Sequence, residues 1–217
     1  MVDYAAARTA MVDGQVRPAD VTRYAVIDAM LAVPRERFVP RGQRALAYAD
    51  MQIPLARGRV MLDPRTLAKM LDSLEIRPGE VVLDVASGLG YAAAVLARMA
   101  GTVIALEAEE PLVRSLTEAI AEAEADNVLV EHGPLADGVS ASAPYDVIVV
   151  EGGVERIPET LFDQLAEGGR LAAIKMDGEL GVCHIWRRVN GAVSSRPVFN
   201  ATAPVLPGFD SERSFTF

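Results

Sequence analysis

Val81-Val82-Leu83-Asp84-Val85-Ala86-Ser87-Gly88-Leu89-Gly90-Tyr91 is the stretch on which the fold turns. An apolar run rich in valine leads into a small-residue turn with two glycines, and an Ala-rich helical pattern starts at Tyr91. Strand, glycine turn and helix in that order open a doubly wound α/β sheet. Downstream the alternation continues. Strands are expected at 103–106, 127–130, 145–150 and 170–174, with helices at 111–123 and 158–165. The strands are largely apolar instead of alternating, which predicts a parallel sheet covered on both faces. Residues 182–189 and 192–201 are strand-like with no helix between them. Asn190-Gly191 separates them, so an antiparallel hairpin is expected at one edge of the sheet.

The pattern changes near residue 78. Upstream, Val21, Tyr24, Ala25, Asp28 and Leu31 keep helical spacing, with Asp20 as the expected N-cap and Pro34 setting the end. Residues 34–59 hold prolines, glycines and arginines without periodicity and read as an ordered loop region. Asp63-Pro64 opens another helix, with Asp63 as cap and Leu67, Met70, Leu71 and Leu74 along one face. The expected organisation is a helical and loop segment, 1–78, packed on a core, 79–217, within one compact domain.

Composition narrows the function. The chain has 217 residues, 51% of them apolar and 24% charged, enough for a sizeable core and unlike a disordered chain. Its charge, 21 − 30 = −9, repels phosphate backbones, so no nucleic-acid partner is expected. One cysteine, Cys183, excludes a disulfide within the chain and any multi-cysteine zinc site; no metal is expected, and a reducing, cytoplasmic setting is. The most apolar stretch, 91–106, is interrupted by Arg98 and Gly101 and is too short to span a bilayer. Residues 1–8 lack the basic start and apolar run of an export signal, so no membrane association is expected.

In open α/β sheets, ligands sit beyond the carboxyl ends of the strands. Three ends carry informative residues. Gly88 and Gly90 allow a tight turn and close approach of backbone to ligand, with the Asp84 carboxylate beside them. Glu107 follows the second strand, where a carboxylate can accept from both hydroxyls of a ribose. His132-Gly133-Pro134-Leu135 follows the third. The turn lacks the full G-x-G-x-x-G pattern, which argues against a nicotinamide cofactor. Ala86 is tolerable at its place only if its φ is negative.

With these residues in view, the chain resembles the S-adenosylmethionine-dependent protein-L-isoaspartate O-methyltransferases. The similarity runs from Met11 to about Phe199. It is carried by Met11-Val12-Asp13-Gly14-Gln15-Val16-Arg17, by Ala29 through Pro40 with its Val33-Pro34-Arg35-Glu36-Arg37-Phe38-Val39 stretch, and by Ala47-Tyr48-Ala49-Asp50 with Ile53-Pro54-Leu55. Val82 to Tyr91, Pro144-Tyr145-Asp146-Val147-Ile148-Val149, Ile157-Pro158-Glu159 and Gln164 to Leu171 complete it. The resemblance implies an α/β, Rossmann-like methyltransferase sheet, mostly parallel, with an antiparallel C-terminal edge and N-terminal helices. It implies S-adenosylmethionine as cofactor, S-adenosylhomocysteine as product, and a damaged protein or peptide bearing an isoaspartyl residue as substrate. Asp84, Ser87, Gly88, Gly90, Tyr91, Glu107, Gly133 and Pro134 are the residues implied to bind the cofactor. Because a carboxylate is already a nucleophile, the enzyme would act mainly by proximity, and neither His132 nor His184 is needed as a base.

The chain departs from the family on the acceptor side. Val60-Met61-Leu62-Asp63-Pro64 stands where the family has Thr-Ile-Ser-Gln-Pro, so Leu62 replaces a hydroxyl and Asp63 adds a negative charge or else only caps the helix. Gly133-Pro134-Leu135 replaces Gly-Asp-Gly and loses the partner of the adenine amino group. Glu151 stands at the end of the fourth strand, as an acceptor-binding acid or a solvated one. The candidate catalytic positions are therefore Leu62, Asp63 and Glu151. The alternative to a working methyltransferase is a relative that keeps the fold as a binding or regulatory module, or methylates another acceptor. A monomer or small homo-oligomer is expected.

Overall fold

The computed structural model describes residues 2–211. Helix α1 (Tyr4–Met11) begins where the Asp3 side chain accepts from the Ala6 N–H, and a π-helical stretch at Val12–Val16 and a 3-10 turn at Arg17–Ala19 lead towards α2 (Tyr24–Ala32). Asp20 does not cap α2: it lies in the left-handed region (φ 63°) three residues before the cap position. Arg23 is the N-cap and makes no side-chain cap hydrogen bond; Asp72, fifty residues from Thr22, accepts from the N–H groups of Thr22 and Arg23 at 3.0 and 2.9 Å and ties the chain just before α2 to another helix. A tie to a distant helix leaves no local trace.

Residues 34–59 are not loop alone. After short 3-10 turns at Arg35–Arg37 and Arg41–Leu46 come β1 (Ile53–Ala56) and β2 (Arg59–Met61), an antiparallel hairpin. Strands of four and three residues are too short to show a period. Helix α3 (Pro64–Leu74) then forms as expected: Asp63 Oδ1 accepts from the Thr66 N–H at 2.9 Å, and Leu67, Met70, Leu71 and Leu74 are buried.

The core elements follow as β3 (Val81–Val85), α4 (Tyr91–Ala97), β4 (Thr102–Glu107), α5 (Glu110–Glu122), β5 (Val128–His132), β6 (Tyr145–Val154), α6 (Glu159–Asp163), β7 (Leu165–Asp177), β8 (Leu180–Val189) and β9 (Ala192–Asn200). The seven-stranded sheet runs β5-β4-β3-β6-β7-β8-β9. The first five strands are parallel, and β8 and β9 are antiparallel, joined at Asn190-Gly191 with both φ angles positive. The sheet order reverses between β3 and β6, which puts the ligand crevice at their carboxyl ends.

Two apolar layers cover the sheet. Met30, Phe38, Leu67, Leu71, Val95 and Leu96 belong to one, so the N-terminal segment shares its core with the sheet. Ile148, Leu161, Leu171 and Phe209 belong to the other, with Trp186 half-buried against it. Cys183 is buried and its thiol is pushed up to about 12, so it is unreactive. Strand β6 runs past Glu151, where its end pairs with Ile174 and Lys175 of β7 on one side and with the C-terminal segment on the other. Gly153 donates to Pro204 O at 2.8 Å and accepts from the Leu206 N–H at 2.9 Å, and Ala203's carbonyl occupies the space a Cβ at 153 would need. Among the described residues no helix is long and apolar enough to cross a membrane, and no His, Cys, Asp and Glu cluster could hold a metal ion.

Candidate active site

The turn after β3 is built as the sequence requires, with Gly88 at φ 58° and Gly90 at φ 91°. Ala86 contradicts the expected negative φ: it stands at 69°. Its N–H and that of Ser87 both donate to Leu106 O, at 3.0 and 3.2 Å, so neighbouring β4 holds the strained residue in place. A non-glycine residue there costs on the order of 1–2 kcal/mol.

Glu107, at the end of β4, is fully buried. Its two oxygens accept from five N–H groups. Arg59 Nη1 and Nη2 reach Oε1 and Oε2 at 2.7 Å each, Gly88 donates at 2.9 Å, and Ala108 and Glu109 donate at 2.8 and 3.0 Å. Burial pushes this carboxyl up, but the Arg59 fork, its charge and the backbone donors outweigh burial and hold it below the usual range. Arg59 comes from β2, is itself buried, and also donates to Ala86 O at 3.0 Å. From the same hairpin, Leu55 Cδ1 lies 2.5 Å from where a Cβ on Gly88 would sit. The hairpin therefore lies directly over the glycine turn.

Asp84 on β3 and Glu151 on β6 meet across the crevice. Burial raises the Asp84 carboxyl from 3.8 to about 6, with the Glu107 charge adding to it. Burial and the Asp84 charge push Glu151 well above the usual carboxylate range. Neither Asp84 oxygen nor Glu151 Oε1 has a donor among the described residues, so one proton shared between the two carboxyls is the arrangement that satisfies both. Next to them Arg35 is buried, donating to Ala47 O at 2.7 Å and Leu62 O at 2.8 Å, with its guanidinium 4.5 Å from the Tyr91 ring centre. Arg35 Nη1, Tyr91 Oη and Arg59 Nε also lack partners. Among the described residues, six of the eight buried unpartnered side-chain atoms thus gather at one place, the mark of a site shaped for polar company.

The remaining candidates fall around this cluster. Ser87 Oγ donates to Asp84 O at 2.8 Å. Gly133 donates to Glu107 O at 3.1 Å, which places Gly133-Pro134 beside the same strand end. Leu62 is buried and contributes only its carbonyl, to Arg35; Asp63 spends its side chain capping α3. His132 is exposed at the end of β5, 3.1 Å from Ala108 O, and His184 lies beside Trp186 on β8 with the rings tilted by 35°. The sequence reading missed Arg35 and Arg59. Neither left a local signal: arginine is mostly exposed, and the groups that bury and pair these two lie far along the chain.

Residues 7–201 match the family described as protein-L-isoaspartate(D-aspartate) O-methyltransferase. The chain belongs to that family. Among its relatives, protein-L-isoaspartate O-methyltransferase 2 of Anaeromyxobacter sp. (strain Fw109-5) is 43% identical over 164 residues, 76% of this chain and 68% of the relative. The Koribacter versatilis (strain Ellin345) protein-L-isoaspartate O-methyltransferase is 34% identical over 191 residues, 88% of this chain and 86% of the relative. A Plasmodium falciparum structure described under the same activity, in complex with S-adenosyl-L-homocysteine, shares the fold with a TM-score of 0.79. It is 22% identical and covers 95% of this chain and 99% of that one.

For this family member the fit of an adenosyl group divides in two. The donor set suits it: an acid at the end of β4, a glycine turn and unpartnered buried polar atoms stand together. The hairpin position does not. Arg59 takes both Glu107 oxygens and Leu55 lies against Gly88, so the groups that would receive the ribose are engaged by this chain's own side chains.

Proposed function

We propose that this chain methylates the carboxylate of isoaspartyl residues in damaged protein, using S-adenosylmethionine. When bound, that cofactor supplies an electrophilic methyl group on a sulfonium. Glu107, the turn Ser87-Gly88-Leu89-Gly90, Asp84 and Tyr91 are the residues that would hold it, with Gly133-Pro134 at the adenine side. The protein's own task is to orient and to exclude water, since an ionised carboxylate needs no base. Val60 and Leu62 offer the acceptor no hydroxyl. At the site, the buried donors without an acceptor among the described residues are Arg35 Nη1, Arg59 Nε and the Tyr91 hydroxyl.

The observation that carries this function is the match of residues 7–201 to the family, with Glu107, Gly88 and Gly90 in place at the crevice. Methyl release from an isoaspartyl peptide, with the matched aspartyl peptide as control, tests it. Turnover on the isoaspartyl peptide alone is expected, and turnover at background on both would overturn it.

A further inference from the structure

We propose that Arg59 is an internal stand-in for the cofactor's ribose and that its release from Glu107 sets how tightly the cofactor binds. The proposal rests on the function just given and adds a residue to it. A ribose presents two hydroxyl donors to a carboxylate, and the Arg59 fork presents two N–H donors to the same two oxygens at 2.7 Å. With three backbone N–H groups already on Glu107, no acceptor capacity is left for a diol. Binding must therefore break a buried, bidentate ion pair and move Leu55 off the glycine turn. The carrier is suited to moving. Among the described residues β1 and β2 pair with each other and not with the seven-stranded sheet, joined at Arg57-Gly58, so no ladder hydrogen bond to that sheet has to break when the hairpin shifts on its apolar anchors Ile53 and Met61. Once Arg59 has left, Asp84, Glu107 and Glu151 face the cleft with Arg35 as the remaining buried cation, a field that favours a cationic sulfonium.

Titration of S-adenosylhomocysteine into the full chain, its Arg59→Gln variant and an Arg57→Gln control tests this, with melting temperature as a second readout. Arg57 is exposed on the same hairpin, so its variant changes charge alone. The expected result is at least tenfold tighter binding by Arg59→Gln, no change in Arg57→Gln, and a ligand-induced rise in melting temperature that is largest for Arg59→Gln. Arg59→Lys keeps the charge and breaks the fork. It is expected to fall between wild type and Arg59→Gln, and it carries the comparison if the glutamine variant does not fold. Equal, measurable affinities for wild type and the Arg59 variants would overturn the stand-in while leaving the methyltransferase function intact. Absence of binding by all of them would overturn that function and the stand-in with it. Amide exchange on wild type adds a further check: saturating ligand should increase exchange across residues 53–61, and unchanged protection with ligand bound would also refute the displacement.

Discussion

Replacing Asp84 by Asn should make the protein more stable at neutral pH and leave it unchanged in acid. Asp84 is fully buried, and apart from the proton it shares with Glu151 its carboxyl has no donor among the described residues; an amide can donate to Glu151 in that proton's place, so no hydrogen bond is forfeited. Folding lifts its carboxyl from 3.8 to about 6. A raised folded-state value means that stability is complete below the unfolded value near pH 4 and is lost as pH rises through about 6. The loss by pH 7.5 is on the order of 3 kcal/mol, at about 1.4 kcal/mol for each pH unit between the two values. For a domain of this size each kcal/mol moves the melting temperature by roughly 2–4 °C. Thermal unfolding followed by circular dichroism at pH 4 and pH 7.5 reads it directly. The variant should match wild type at pH 4 and melt higher, by as much as about 6–12 °C, at pH 7.5. A difference that does not depend on pH, or a variant less stable at pH 7.5, would refute the buried-acid reasoning. The same variant should methylate less well, because an acid kept at a cost to folding is one that the site uses.

Glu107→Gln leaves the Arg59 guanidinium buried without its anion and should cost about 3–5 kcal/mol in urea unfolding. An unchanged midpoint would mean that Arg59 finds water easily. Asp63→Ala should cost about 0.5–2 kcal/mol through loss of the α3 cap, with Asp63→Asn close to wild type; equal losses in both would point to charge instead. Ala86→Gly removes a side chain from φ 69° and should stabilise by up to about 1 kcal/mol, and destabilisation would show that the turn is not strained.

Much of the architecture was legible in short-range pattern. Continuous apolar runs between helices announced the parallel sheet, Asn190-Gly191 announced the edge hairpin, and Asp63-Pro64 marked the start of α3. These signals work because each arises from a few neighbouring residues: a burial period, a turn conformation, a cap. Gly88, Gly90, Asp84 and Glu107 were likewise found from position, since strand ends in a doubly wound sheet converge on one edge. The Asp72 tie to Thr22 and Arg23, the left-handed Ala86 and the pairing of Gly153 with residues 204–206 left no local mark, because each depends on a partner distant in the chain.

The order of strands and helices, and the acid and glycines at the crevice, follow from the chain's own local chemistry. What occupies that crevice was decided only by tertiary structure. Arg59 and Glu107 are 48 residues apart, and nothing in the spacing of either indicates the other. A buried ion pair forms only where the fold removes two charges from water and leaves them each other as partners.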